Sequence, residues 1–229
     1  MGVVRFFVGL LLLPLCVVAT QTLLALMAVA QPDSSSAIPQ STLALGGGYA
    51  LWILIYFTLP RPTRTYVLAH ELTHALWGAL MGARVSRLSV SKQKGSVTLS
   101  KTNFLITLAP YFFPLYTVLV VGGYYALGFF YDVNHYHLLW LGLVGFTWGF
   151  HFTFTIGSLL QHQSDIQLYG RLFSYTVIYT LNIVGIGVWI VLVSPRDWSD
   201  VGSYAAFYGR EMAAWLARSA SQLYHLARQ

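Results

Sequence analysis

The chain has 229 residues, 56% hydrophobic and only 9% charged, with a formal net charge of +6. A soluble domain carries about 25% charged residues, and several apolar runs here reach the ~20 residues that cross a bilayer, which excludes an ordinary soluble domain. The Lys and Arg mostly flank those runs, where they set orientation, so the positive charge does not point to nucleic acid.

Phe6 to Ala30 is the first apolar run. Arg5 ahead of it and Ala28-Val29-Ala30 at its end imitate a secretory signal, but its apolar core exceeds the usual stretch of about 7–15 residues and reads as an uncleaved span. It holds the chain's single cysteine, Cys16, so there is no intrachain disulfide framework and no thiolate cluster for a metal. Met1-Gly2 is no myristoylation signal, because Phe6 stands where Ser or Thr is needed. Gln31 to Thr42 is polar without Lys or Arg and reads as an outer loop. Leu43 to Leu59 is a second span, closed by Arg61 and Arg64, a cytoplasmic signature.

Arg64 to Gly82 then carries His70-Glu71-Leu72-Thr73-His74 on a helix-compatible, apolar background. Residues four apart share a helical face, so both imidazoles can converge on one metal ion. Neutral imidazoles hold Zn²⁺, and Glu71, about a quarter turn round, can reach a water on the ion as general base. Chance or a structural His pair are the plain alternatives. Ionisable clusters inside apolar stretches are expensive, however, and tend to be functional.

Ala83 to Thr102 is basic, with alternating runs Arg87-Leu88-Ser89-Val90 and Ser96-Val97-Thr98-Leu99 around the turn signal Lys92-Gln93-Lys94-Gly95, which predicts a β-hairpin. Leu105 to Phe130 is a long span whose start Pro110 and Pro114 kink. Tyr131 to His137 is a short loop without Lys or Arg, and Leu138 to Leu160 is another span. Gln161 to Arg171 is a polar interruption, Leu172 to Val193 the last clear span. Ser199 to Gln229 is a mixed tail with helical apolar spacing, suited to an interfacial helix. The expectation is one all-α polytopic membrane domain over 1–229. It has two N-terminal spans in 1–60, a core in 64–193 and an amphipathic tail in 199–229. About six membrane-embedded helices are expected, with a small β-hairpin.

Catalytic zinc keeps three protein ligands and one open position. Of the acids, Asp33, Asp132, Asp197, Asp200 and Glu211 fall in outer loops or the tail, which leaves Asp165 beside Glu71. Asp165 is the leading third ligand by elimination, with a solvated loop acid as its plain alternative. His162 stays open for the same role. His162 and His151 are otherwise neighbours of the metal or oxyanion donors, and His135, His137 and His225 lie out of reach. If the helix from Thr65 dips into the bilayer and hands over to the hairpin on the same side, Asp165 arrives level with His70 and His74. That topology also puts nine of the 13 Lys and Arg on the cytoplasmic side.

The HELTH helix, the basic hairpin directly after it and the late Asp165 together resemble the site-2 protease family of intramembrane zinc metalloproteases, over roughly Arg64 to Val193. The family's usual Asn-Pro and Leu-Asp-Gly residues are replaced around Asp165 by Gln163-Ser164-Asp165-Ile166-Gln167, which marks a divergent member. The resemblance implies membrane-tethered signalling proteins as substrates and a bacterial source, hence the inner membrane. On this reading the chain is a zinc endopeptidase that cleaves transmembrane segments, with Glu71 as base and His70, His74 and Asp165 on the metal. No soluble stretch is long enough for a PDZ-like insertion. The rival readings are a scaffold or assembly factor with a structural metal site, whose sign would be a fourth ligand, and, ranked lowest, a transporter.

Overall fold

A computed structural model describes residues 2–29, 39–91, 94–193, 198–226 and 228. Asp33 and most of its loop, Lys92 and Gln93 of the hairpin turn, and Asp197 lie outside the described residues. Helices dominate: α1 (Gly2–Val29), α2 (Gln40–Thr58), α3 (Thr63–Leu80), α4 (Phe104–Leu108), α5 (Leu115–Gly128), α6 (His137–Leu159), α7 (Ser164–Tyr169), α8 (Arg171–Val193) and α9 (Trp198–Leu226). Strands β1 (Val85–Val90) and β2 (Gly95–Leu99) form a two-stranded antiparallel sheet.

Among the described residues, four helical stretches are long and apolar enough to cross a membrane: Gly2–Ala28, Gln40–Thr58, Asn134–Leu159 and Arg171–Val193. A fifth appears only if Phe104–Tyr111 and Leu115–Gly128, bent by 83°, count as one broken span. The kink expected near Pro110 and Pro114 is thus a break. The α3 helix, expected to dip into the bilayer rather than cross it, is not in this set, so four or five spans are seen among the described residues and a sixth membrane-embedded helix is not shown. Large apolar side chains face outward along these helices, such as Leu11 at 77% and Leu54 at 60% exposure. Buried positions include Thr22, Ser158, Ser174 and Thr176. Lipid solvates the apolar surface, so helices meet through small and hydroxylated residues instead.

The chain divides into two compact units, 1–35 with 164–229, and 36–163. In the second, α2 and α6 approach backbone to backbone. A Cβ on Gly48 would strike the Gly142 carbonyl, and one on Gly145 the Leu45 carbonyl, so only glycine permits this distance. Beside that seam Trp52, Phe150 and Phe154 form an aromatic core, with Trp52 Nε1 donating to Thr153 Oγ1 at 2.9 Å. Gly82 (φ +75°) ends α3: its own N–H bonds Ala79 O at 2.9 Å, and the Ala83 N–H bonds Gly78 O at 2.8 Å. These two bonds satisfy the last carbonyls and turn the chain straight into β1. The hairpin pairs Val90 with Gly95 and Leu88 with Val97, as expected from the alternation, and Ser91 closes its turn by accepting from the Lys94 N–H at 3.0 Å.

In the first unit, α1 packs along α8 and α9. Gly9 lies against the Phe173 backbone, and Thr20 and Tyr179 share a hydroxyl hydrogen bond of 2.8 Å. The polar interruption expected from Gln161 to Arg171 contains α7, a helix of six residues. Arg5 holds its C-terminal end by donating to the Leu168 carbonyl, with its guanidinium 4.7 Å from the Tyr169 ring centre. A cation at a helix C-terminus suits the exposed carbonyls there. Gly170 (φ +89°) makes the turn into α8, and Ser174 Oγ donates back to Ile166 O at 3.0 Å.

Candidate metal centre

The two histidines of α3 converge. His74 Nε2 lies 3.2 Å from His70 Nε2, with both rings half-buried. On the far side of its ring, His74 Nδ1 lies 2.8 Å from the Ile106 carbonyl oxygen. A carbonyl only accepts, so Nδ1 carries the proton, and a neutral His74 turns the lone pair of Nε2 toward His70. Metal-binding histidines are commonly held this way, which fixes the tautomer and makes the free nitrogen more basic.

Ile106 is available for this contact because of Pro110. Continuing α4 would bring the N–H of residue 110 onto the Ile106 carbonyl, but proline has none. Asn103 caps the start of α4, its Oδ1 accepting from the Ile106 N–H at 2.9 Å, so both ends of the Ile106 peptide environment are fixed.

The pair also fits a metal dimensionally. Two Zn–N bonds of about 2.05 Å whose nitrogens are 3.2 Å apart subtend roughly 103°, close to the tetrahedral value. His70 is steadied by rings set edge-on, with centroids 5.4 Å away at Tyr111 and 5.8 Å away at Tyr66. Tyr66 in turn stacks on Phe154 at 4.7 Å, and its hydroxyl shares a 2.6 Å hydrogen bond with Ser158 Oγ. The end of α6 is thereby fastened beside the first turns of α3.

Glu71 is only 7% exposed, an expensive place for a carboxylate. It lies against the hairpin: a Cβ on Gly95 would overlap its Cγ and sit 2.6 Å from Oε1, with Val67 Cγ1 at 2.7 Å. Gly95 is therefore more than a turn residue. It lets β2 begin directly over the Glu71 side chain, and the turn signature in the sequence disguised that role. Leu99, at the other end of β2, covers Gly78 of the same helix.

Asp165 occupies the first turn of α7, half-buried, in the other unit. His162 is exposed just beyond α6. His151 lies on α6 and lines a small cleft with His70, Tyr66, Thr73, Pro110 and Tyr116. The cleft was not legible in the sequence, where His151 is a lone histidine in a span. His135 lies in a single 3₁₀ turn, His137 opens α6, and His225 is near the end of α9.

No protein-family model, curated protein or solved structure matches this chain. The likeness to site-2 proteases therefore rests on the residues themselves.

Proposed function

We propose that the protein is a zinc-dependent intramembrane endopeptidase, a divergent relative of the site-2 proteases, acting on transmembrane segments of membrane-tethered proteins. The observation that carries this reading is the convergence of His70 and His74, with the His74 Nδ1 proton committed to Ile106 and Glu71 buried beside them. Asp165 is the proposed third ligand; like the two histidines it is half-buried and offers one ligand atom.

Bound zinc supplies a water acidified toward neutral pH and a Lewis acid for the peptide carbonyl. Glu71 accepts the proton of the attacking water and returns it to the leaving amine. Burial under Gly95 keeps that carboxylate away from bulk solvent and strengthens its interactions. The sheet has two strands, so each keeps an outer edge among the described residues. An unwound substrate segment can add there as a further strand, exposing one carbonyl at a time.

The test is zinc content and peptide cleavage on protein purified without chelator. Wild type should hold one zinc per chain, His74→Ala should lose it, and Glu71→Gln should keep it while losing cleavage. Wild type without stoichiometric metal rejects the reading. A metal-loaded chain in which Glu71→Gln changes nothing supports a structural metal site instead.

A further inference from the structure

The cleft beside His70 has one unmet demand. Among its described lining residues, only His151 has a buried side-chain nitrogen or oxygen without a hydrogen-bond partner, Nε2. Its neighbour one turn away, Thr147, is satisfied by donating to the Leu143 carbonyl at 2.9 Å. Phe113 and Phe150 wall the same cleft and offer no acceptor. Buried polar atoms in native proteins are paired, so an unpaired one on a residue that lines a cleft calls for a partner from outside the chain.

The position of His151 says what that partner touches. Seven residues back along α6 from Ser158, about 10 Å, bring the chain to His151. Ser158 meets Tyr66, and His70 follows Tyr66 by one turn, so His151 shares the cleft with the first histidine of the metal pair. A group seated there lies between α6 and the metal-binding face of α3.

We propose that His151 is a further catalytic residue, its Nε2–H donating to the carbonyl oxygen of the scissile peptide. This rests on the endopeptidase reading above. The oxygen gains negative charge as water adds to the carbon, and the hydrogen bond strengthens as that charge grows. His151 transfers no proton. When the C–N bond breaks, the electron pair on the oxygen re-forms the carbonyl and the amine leaves with the proton carried by Glu71. An α6 position suits this task, because Trp52, Phe150 and Phe154 pack the helix around it and hold the donor in place before substrate arrives.

The test uses the full chain in detergent with its zinc, as wild type, His151→Phe and His151→Gln. Zinc content, the affinity of a peptide hydroxamate and cleavage of single-span peptides are read separately. Expected is one zinc in all three. His151→Phe should bind hydroxamate about tenfold or more weakly and turn over about 100- to 1000-fold more slowly with KM little changed. His151→Gln, which keeps an N–H donor, should recover part of both. Unchanged hydroxamate affinity in His151→Phe overturns the proposal, and so does zinc loss in either variant, which would make His151 part of the metal's support. A His151-dependent affinity in a chain that cleaves nothing would sink the endopeptidase reading and leave His151 as a ligand donor. Cleavage that survives His151→Phe at full rate would do the reverse.

Discussion

Gly95→Ala is the substitution that most directly tests the link between hairpin and base. The added Cβ would overlap Glu71 Cγ and lie 2.6 Å from Oε1 and 2.7 Å from Val67 Cγ1. Ordinary contact needs about 3.5–4.0 Å, so something must move by roughly 1 Å. Val67 is β-branched on a helix, with one strongly preferred rotamer, and resists. The unbranched Glu71 side chain has several rotatable bonds and is the group that yields. The fold should therefore lose no more than the ~1–3 kcal/mol typical of overpacking, while a base displaced by ~1 Å can lose on the order of 100-fold in rate. The assay is turnover of a single-span peptide together with zinc content and thermal unfolding in detergent. Val67→Ala combined with Gly95→Ala opens space beside the new methyl and should regain much of the lost rate, a coupling that independent sites would not show. If Gly95→Ala alone turns over at the wild-type rate with zinc retained, the hairpin does not set the position of Glu71 and the reasoning fails.

Other consequences are equally specific. Pro110→Ala gives residue 110 an N–H that competes with His74 for the Ile106 carbonyl, and zinc affinity should fall about 10- to 100-fold; equal affinity in a metal-competition titration would show that this contact does not matter. Gly145→Val drives a side chain into the Leu45 carbonyl and should sit at the upper end of the ~1–3 kcal/mol overpacking range. Gly122→Val, with nothing within 4 Å of its Cβ, is the control, and similar unfolding of both in detergent would refute the close α2–α6 seam. Single cysteines replacing Arg64, Lys94 and Arg171, in a chain without Cys16, should label from one face of the membrane with an impermeant thiol reagent, and those replacing Asp33 and Asp132 from the other. Lys94 and Arg171 on opposite faces would overturn the dipping path of α3.

The sequence by itself determined the elements whose signal is local. Runs of apolar residues fix α1, α2, α6 and α8 to within a few residues of their expected limits, because length and hydropathy alone decide whether a helix suits lipid. Period-two alternation around Lys94-Gly95 was enough for the hairpin, and the i, i+4 spacing was enough to bring His70 and His74 together. Tertiary structure decided everything that depends on a partner distant in the chain. That the Ile106 carbonyl orients His74 follows from a proline at 110 and a histidine at 74, and neither residue announces the other. The 83° bend between Phe104–Tyr111 and Leu115–Gly128 was expected only as a kink, because the prolines mark its place and not its size. Gly95 looked like turn punctuation until Glu71 was found filling the space its side chain would need. His151 was one histidine in an apolar run, and only the packing of α3, α5 and α6 left its Nε2 buried and unpaired on a residue that lines a cleft. Periodicity records which face of an element is apolar. It carries no information about which polar atom on another element that face will meet, and a catalytic site is built from those meetings.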